Sequence, residues 1–439
     1  MAKKNKPAKT LRYKPVQRIE VYVWNKFVGA LALDPTLGYY VFAYDKDFAR
    51  SGIQLSPLQM PADDSERPYV FTDLPEATYR RLPAMLADAL PDEFGNALID
   101  KYMAEKGLPK SSITSLDRLA YMGKRAMGAL EFKPTRGPKT AQPTALAMNQ
   151  LVAVARKAIS GTLQGDSAAE AALRSMIEVG TSANGARAKA VIGWNRTTSE
   201  LRSGQFELLS GFEHWLLKFD GMGKDLELGT SQDYGRIEYA YYLMARESGI
   251  AMSESRLLEE NGRAHFMTRR FDREDAGAKH HLQSLCAMAH LDFKKKSANS
   301  YEQLFMAIRQ LKLGHAAEVE ALRRMAFNVM GRNCDDHTKN ISFLLREGGS
   351  WELAPAYDLT FAHNPKGEWT NQHLMSVNGK FEAIGRNDCL VLADRFGVGE
   401  APSILKEVRG AIEQWSKFAK QAGVPAVEAR RIQEQFLLL

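Results

Sequence analysis

The sequence predicts an α+β chain in which a small N-terminal α/β domain is followed by a sheet-bearing lobe and then by a largely α-helical C-terminal lobe. Three observations carry that expectation. Ile19, Val21 and Val23 alternate with other residues near the start, the period of a half-buried strand. Asn261-Gly262 separates two strand-like runs, residues 255 to 260 and 263 to 270, and this dipeptide tolerates the positive φ angles of a two-residue hairpin turn. From Gln283 onward apolar residues recur at three and four positions, as Leu322, Met325 and Val329 do, the stripe of a buried helix.

Composition narrows the classes. The chain has 439 residues with 45% hydrophobic and 25% charged, enough apolar material for two or three ordinary cores. No stretch approaches the apolar length of a membrane span, and the basic start, Met1-Ala2-Lys3-Lys4, lacks the apolar segment of a secretory signal, so the cytoplasm is expected. Cys286, Cys334 and Cys389 are too few and too scattered for a disulfide framework or a zinc site, and redox chemistry is not supported. The formal charge of +7, from 59 basic and 52 acidic residues, suits ATP or a nucleic-acid-associated partner and equally an ordinary mildly basic protein.

Taken in order, residues 1–17 hold six Lys or Arg and two Pro without periodicity, a flexible basic tail. Residues 18–134 form the α/β domain: strands around Ile19 to Val23, 28 to 33 and 39 to 44 with a turn at Asn25-Lys26, a helix on which Leu82, Met85, Leu86 and Leu90 share a face, and a break at Leu90-Pro91-Asp92-Glu93-Phe94-Gly95. Residues 135–175, following Pro134 and with Pro138 and Pro143 at the front, are a linker leading into a helix.

Residues 176–270 hold the elements of a nucleotide-binding lobe. In Gly180-Thr181-Ser182-Ala183-Asn184-Gly185-Ala186-Arg187-Ala188-Lys189, small residues around Gly185 let backbone N–H groups approach phosphate oxygens, while Arg187 and Lys189 add positive charge; a plain structural turn is the alternative. Ala190-Val191-Ile192-Gly193-Trp194 then forms a strand. Trp215-Leu216-Leu217-Lys218-Phe219 is a second strand with one cation, which either faces a phosphate or points to water from a sheet edge. Ile237, Tyr241, Leu243, Met244 and Ile250 mark an amphipathic helix carrying Glu238, either exposed or paired with the strand lysine. Glycine-rich turn, strand lysine, helix and hairpin occur in the order of a kinase-like small lobe, with a hinge expected within residues 267 to 271. Residues 271–439 are the helical lobe, ending in a stripe of Ile404, Val408, Ile412 and Trp415 and an apolar turn at 436 to 439.

The chemical centre is Asn333-Cys334-Asp335-Asp336-His337-Thr338-Lys339-Asn340. Asp335 precedes Asn340 by five positions, the interval at which a protein-kinase catalytic loop sets its proton-accepting Asp and magnesium-binding Asn. Two apolar strands around Gly348-Gly349 fold back so that Ala356-Tyr357-Asp358 faces Thr338-Lys339-Asn340, allowing Asn340 and Asp358 to share one magnesium ion. Lys339 can neutralise charge on a transferred phosphoryl group and His337 can orient the loop; otherwise Asp335 or Asp336 caps a turn and His337 is an ordinary loop histidine.

Over roughly residues 18 to 420 the chain resembles the HipA-type toxin serine/threonine kinases of bacterial toxin-antitoxin modules. Asp335-x-His337-x-Lys339-Asn340 and Ala356-Tyr357-Asp358-Leu359 carry the resemblance, supported by Gly128-Ala129-Leu130-Glu131-Phe132, the stretch from Gly180 to Arg187, and Arg270-Phe271-Asp272-Arg273. It implies that Asp335 is catalytic, that Asn340 and Asp358 hold magnesium, and that Lys218 contacts ATP. It also implies that Ser182, with Thr181 beside it, is an autophosphorylated switch. Phosphate in that turn competes with ATP for the same donors. The implied partners are a HipB-like helix-turn-helix antitoxin, operator DNA mainly through the complex, and a protein substrate such as an aminoacyl-tRNA synthetase, with no membrane. Two other classes stand beside this one: a metal-dependent hydrolase using Asp335, Asp336 and His337 as ligands, and a catalytically silent corepressor that helps a repressor hold DNA.

Overall fold

The alternating apolar residues near the start become β1 (Arg18–Val23), with β2 (Lys26–Leu33), β3 (Tyr40–Tyr44) and β4 (Glu131–Lys133) completing a four-stranded antiparallel sheet in the order β3-β2-β1-β4. The structure is a computed structural model that describes residues 13–63, 67–138, 189–205, 207–220, 233–274 and 277–439. The turn between β1 and β2 falls one residue earlier than expected. Trp24 and Asn25 take positive φ angles of 48° and 61°, and Lys26 already pairs with Val23.

Leu82, Met85, Leu86 and Leu90 are all buried, but only Met85 and Leu86 lie on a helix, the one-turn Ala84–Ala87, which follows another one-turn helix, Glu76–Tyr79, in place of the single helix expected. The first helix ends at Arg80, which turns left-handed, and Pro83 stands at the N-cap of the second, where its ring and missing N–H prevent one continuous helix. The break after Leu90 starts a longer helix, Glu93–Glu105. Asp92 caps it by accepting a hydrogen bond from the Gly95 N–H at 2.8 Å.

β5 (Lys189–Trp194), β6 (Leu201–Ser203), β7 (Glu213–Lys218), β8 (Ser255–Glu260) and β9 (Arg263–Arg269) form a five-stranded antiparallel sheet in the order β6-β5-β7-β9-β8. Asn261 and Gly262, at φ 47° and 79°, make the expected hairpin turn between β8 and β9. The helix Tyr234–Glu247 lies against this sheet, and Gly235 sets how closely: an added Cβ would sit 2.0 Å from the Ala264 carbonyl oxygen. One turn further along, Glu238 is held against the sheet.

The helical lobe also contains short strands: β10 (His281–Ser284), β11 (Asn299–Ser300), β12 (Ser342–Leu345), β13 (Trp351–Leu353) and β14 (Met375–Ser376). β10, β12 and β13 form a three-stranded antiparallel sheet, and β11 pairs in parallel with β14. Leu322, Met325 and Val329 are buried on the helix His315–Met330, and Ile404, Val408, Ile412 and Trp415 along Ala401–Glu413 and Trp415–Ala422. Among the described residues no helix is long and apolar enough to cross a membrane.

The apolar cores do not follow the lobes. Ile19, Val21 and Phe132 of the first sheet share a core with Ala190, Ile192, Trp215 and Leu217 of the second. Ile237, Tyr241 and Met244 of the helix belong instead to the core of Leu322, Met325, Val408 and Trp415. The five-stranded sheet is therefore packed on the N-terminal domain and its helix on the C-terminal lobe.

Asp272, fully buried, joins the N-terminal domain to the segment that follows β9. Its carboxylate accepts from the Gly128 N–H at 2.7 Å, from Arg270 Nη2 at 2.7 Å and Nε at 2.9 Å, and from Arg273 Nη1 at 2.8 Å. Arg273 in turn donates to the Gly128 and Ala126 carbonyls, both at 2.9 Å. Burial alone would raise the Asp272 carboxyl pKa, but Arg270 and Arg273 hold it well below the usual carboxylate range. Removing the acid leaves buried guanidinium charge uncompensated, so Asp272→Ala is expected to cost about 3–5 kcal/mol of unfolding free energy. Urea denaturation measures it, and an unchanged midpoint would show the clamp to be dispensable.

Candidate active site

The register of β5 against β7 sets two lysines directly opposite each other, Lys189 and Lys218. Lys218 is not on a sheet edge, since β7 is the central strand, and both lysines are buried. Lys218 Nζ pairs with Glu238 Oε1 from the helix and with Asp358 Oδ1 from the segment after β13. Lys189 Nζ lies 3.9 Å from Asp358 Oδ2. Charges out of water persist when opposite charge is this close. For Lys218, burial works against the proton, but Asp358 and Glu238 outweigh it and its pKa rises. For Lys189, burial dominates and Lys218 adds repulsion, so its pKa falls despite Asp358. Burial would raise Asp358, yet Lys218 and Lys189 hold it well below the ordinary carboxylate range.

Asp358 adopts φ 54°, in the left-handed region. Its segment is tied down on both sides. The Ala354 N–H donates to Ser342 O at 2.9 Å, and the Tyr357 hydroxyl donates to Lys339 O at 2.7 Å. Beyond it, the Cys334 N–H donates to Ala362 O at 2.9 Å, so the loop beginning at Asn333 runs beside the loop holding Asp358. Asp335 Oδ1 is 3.7 Å from His337 Nε2, and its side chain is 44% exposed. Thr338–Asn340 is a single 3-10 turn, and Asn340 Nδ2 donates to Asp335 O at 2.9 Å, which aims Asn340 Oδ1 away. His337 stacks edge-on to Phe293 at 5.2 Å between centroids. Lys339 Nζ sits 3.9 Å from Asp88 of the N-terminal domain and 5.2 Å from the Phe293 ring centre.

Asp336 points the other way. Fully buried, it accepts from the Tyr301 hydroxyl at 2.8 Å, from His373 Nδ1 at 2.9 Å and from the Leu374 N–H at 2.8 Å. Burial opposes the His373 charge, but Asp336 and then Cys334 outweigh it and raise its pKa to about 10. Adjacent residues with the same side chain thus have opposite roles, Asp335 facing the cleft and Asp336 anchoring the loop.

Lys189, Lys218, Glu238, Asp335, His337, Lys339 and Asp358 all line one cavity of about 450 Å³. A smaller one of about 80 Å³, sharing Lys218 and Asp358 with it, is also lined by Leu216, Met252, Phe266, Arg270 and Tyr357. Sequence reasoning missed the N-terminal domain's share of the larger cavity: Thr78, Arg80, Asp92, Glu93 and Asn96. The available signal was Asp92 before Glu93, an N-cap followed by an acid, which marks a helix start and exposes a carboxylate there. Lys189 belongs to strand β5, whereas Ser182, Gly185 and Arg187 lie outside the described residues, as does the linker beyond residue 138.

Two family models match the chain: the HipA N-terminal domain over residues 19–133 and the HipA-like C-terminal domain over residues 181–437. The chain belongs to the HipA family. Among solved structures it is similar to HipA of Shewanella oneidensis MR-1, solved in a complex of the toxin-antitoxin system with HipB and its operator DNA. That likeness has a TM-score of 0.64 at 18% identity and covers 95% of both chains. A looser likeness, TM-score 0.33 at 13% identity, covers 51% of this chain and 88% of the proinflammatory kinase CtkA of Helicobacter pylori. No curated protein matches the sequence. The HipA fold accounts for the mixed architecture, with its N-terminal sheet domain and helical C-terminal lobe.

In this HipA-family site Asn340 and Asp358 offer oxygens of the kind that suits a magnesium ion, with both Asp358 oxygens facing lysine ammonium groups. Asn340 Oδ1 is buried without a hydrogen-bond partner, and hard oxygen donors suit that cation. Among the described residues no group of three His, Cys, Asp or Glu could hold a metal, and Asp336 is spent on Tyr301, His373 and Leu374. A hydrolase centre built from Asp335, Asp336 and His337 is therefore not formed. The His373 pairing also has a pH signature. Its folded pKa lies above the ordinary 6.5, so its stabilisation is fully present below pH 6.5 and fades as pH rises through about 10. Asp336→Asn is expected to cost about 3–5 kcal/mol near pH 6, by urea denaturation, with the gap to wild type narrowing towards pH 10.

Proposed function

We propose that the protein is a cytoplasmic serine/threonine-protein kinase toxin of a toxin-antitoxin module, moving the γ-phosphoryl group of ATP to a serine of a protein substrate. The observation that carries this reading is the buried pairing of Lys218 with both Glu238 and Asp358, beside a loop that sets Asp335 in the same cleft and hydrogen-bonds Asn340 to the Asp335 carbonyl. Lysine held by a helix glutamate is how kinases fix the group that grips nucleotide phosphates. Lys218 and Lys189 face the phosphates, with the glycine-rich stretch around Gly185 and Arg187 as further donors, and the apolar cavity of Leu216, Met252 and Phe266 takes the base.

Asp335, more exposed than its neighbours, accepts the proton of the serine hydroxyl as that oxygen bonds to the γ-phosphorus and the bond to the departing ADP breaks. His337 orients Asp335, and Lys339 offsets charge on the phosphoryl group in transfer. Asn340 and Asp358 hold magnesium, which supplies charge neutralisation when bound. By the family resemblance, Ser182 accepts phosphate as an off-switch, a HipB-like antitoxin binds the chain and brings it to operator DNA, and an aminoacyl-tRNA synthetase is a candidate substrate. Support for that partner is the likeness to a HipA solved with HipB and operator DNA.

The test is transfer from γ-labelled ATP with magnesium to purified synthetases and to the protein itself, followed by mass spectrometry. Labelling that falls about 10²–10⁴-fold in Asp335→Asn, with nucleotide binding retained, is the expected result. Phosphate on Ser182 supports the switch; an active enzyme never modified there removes it. A protein that neither binds MgATP nor transfers phosphate is the silent corepressor.

A further inference from the structure

One wall of the large cavity is built by the N-terminal domain and holds two polar groups, an unsatisfied Asp92 oxygen and the Arg80 guanidinium. Asp92 uses Oδ1 to cap its helix, while Oδ2 is buried without a hydrogen-bond partner. Arg80 is half-buried in a left-handed backbone conformation, φ 54°, and its guanidinium feels Asp100 and Glu93 without a hydrogen bond to either. Both line the cavity that also contains Asp335, His337 and Lys339. A polar atom sheltered from water usually finds a partner, so the Asp92 oxygen points to a ligand donor, and Arg80 on the same wall can bind an acceptor of that ligand. Every residue of a peptide main chain except proline carries that combination. Burial raises the Asp92 carboxyl pKa to about 6, with Lys189 and Lys339 acting against the rise.

We propose that the N-terminal domain grips the main chain of an extended phosphoacceptor segment, with Arg80 donating to a carbonyl and Asp92 accepting an N–H. This rests on the kinase reading above. The cavity volume, about 450 Å³, falls in the range of roughly 300–1,000 Å³ that suits a compact ligand. The wall is pinned across the cleft: Lys294 Nζ lies 3.6 Å from Glu93, and the Thr78 hydroxyl donates to Asp292. A segment gripped there meets Asp335 at a set depth, which makes Arg80 and Asp92 positioning residues for the acceptor with no part in holding nucleotide.

The test uses the full chain, γ-labelled ATP and a positional-scanning library of serine peptides. Arg80→Met keeps the length of the side chain without its donors. Asp92→Ser keeps a helix cap and deletes the unpartnered oxygen, and thermal melting checks that both variants fold. The expected result is a rise of about tenfold in peptide KM for each, the loss of one hydrogen bond. The KM for ATP should stay within about twofold and the residue preferences of the library should be unaltered, as a main-chain grip requires. An unchanged peptide KM, a parallel change in ATP KM, or a preference lost at one flanking position overturns the inference. Wild-type protein that binds MgATP but labels no peptide also overturns it, leaving the kinase reading to the synthetase assay. Wild-type protein that neither binds MgATP nor labels any acceptor overturns the kinase reading and this inference together.

Discussion

Everything in the cleft depends on one buried charge cluster, Lys218 and Lys189 against Glu238 and Asp358, and on where it sits. The lysines belong to a sheet whose apolar face packs on the N-terminal domain, and Glu238 belongs to a helix packed on the C-terminal lobe. The ion pairs therefore lie at the seam between two cores. Neither core alone could supply both signs, and unmatched charge at this depth would cost several kcal/mol. The seam is consequently held in register by electrostatics, with Gly235 permitting the close approach of helix to sheet that the pairing needs.

A second layer of buried polar bonds makes the loop rigid enough to use. Asp336 is fixed by Tyr301, His373 and the Leu374 N–H, and the neighbouring Asp335 is left projecting into the cleft because its partner in sequence is anchored behind it. Asn340 spends its amide N–H on Asp335 O and keeps its oxygen unpartnered. A network satisfied on the inside and open on the cleft side holds functional groups in position at little conformational freedom.

The N-terminal domain is part of this machinery. The Asp272 clamp joins Gly128 to Arg270 and Arg273, so two stretches that look unrelated along the chain form one junction. Asp88 binds the Ser284 N–H at 2.6 Å and approaches Lys339, and the Tyr79 hydroxyl donates to Cys286 O at 3.0 Å. These bonds fix the domain against the cleft, and Arg80 and Asp92 come with it.

By itself the sequence determined what is local. The strand alternation of Ile19 to Val23, the Asn261-Gly262 turn, the stripe of Leu322, Met325 and Val329, and the interval from Asp335 to Asn340 are all set by backbone geometry and residue spacing over a few positions. The pairing of Lys218 with Glu238 stayed open between a phosphate-facing cation and one pointing to water, because edge and centre of a sheet look alike until strand order is known. Tertiary structure decided burial and adjacency: that β7 is central, that Lys189 stands opposite Lys218, that Asp336 turns inward, that Pro83 divides the expected helix, and that Asp92, which sequence treats as part of a break, caps a helix at the cavity. These depend on contacts between residues tens to hundreds of positions apart, whose free energies come from packing and desolvation, and no local spacing encodes them.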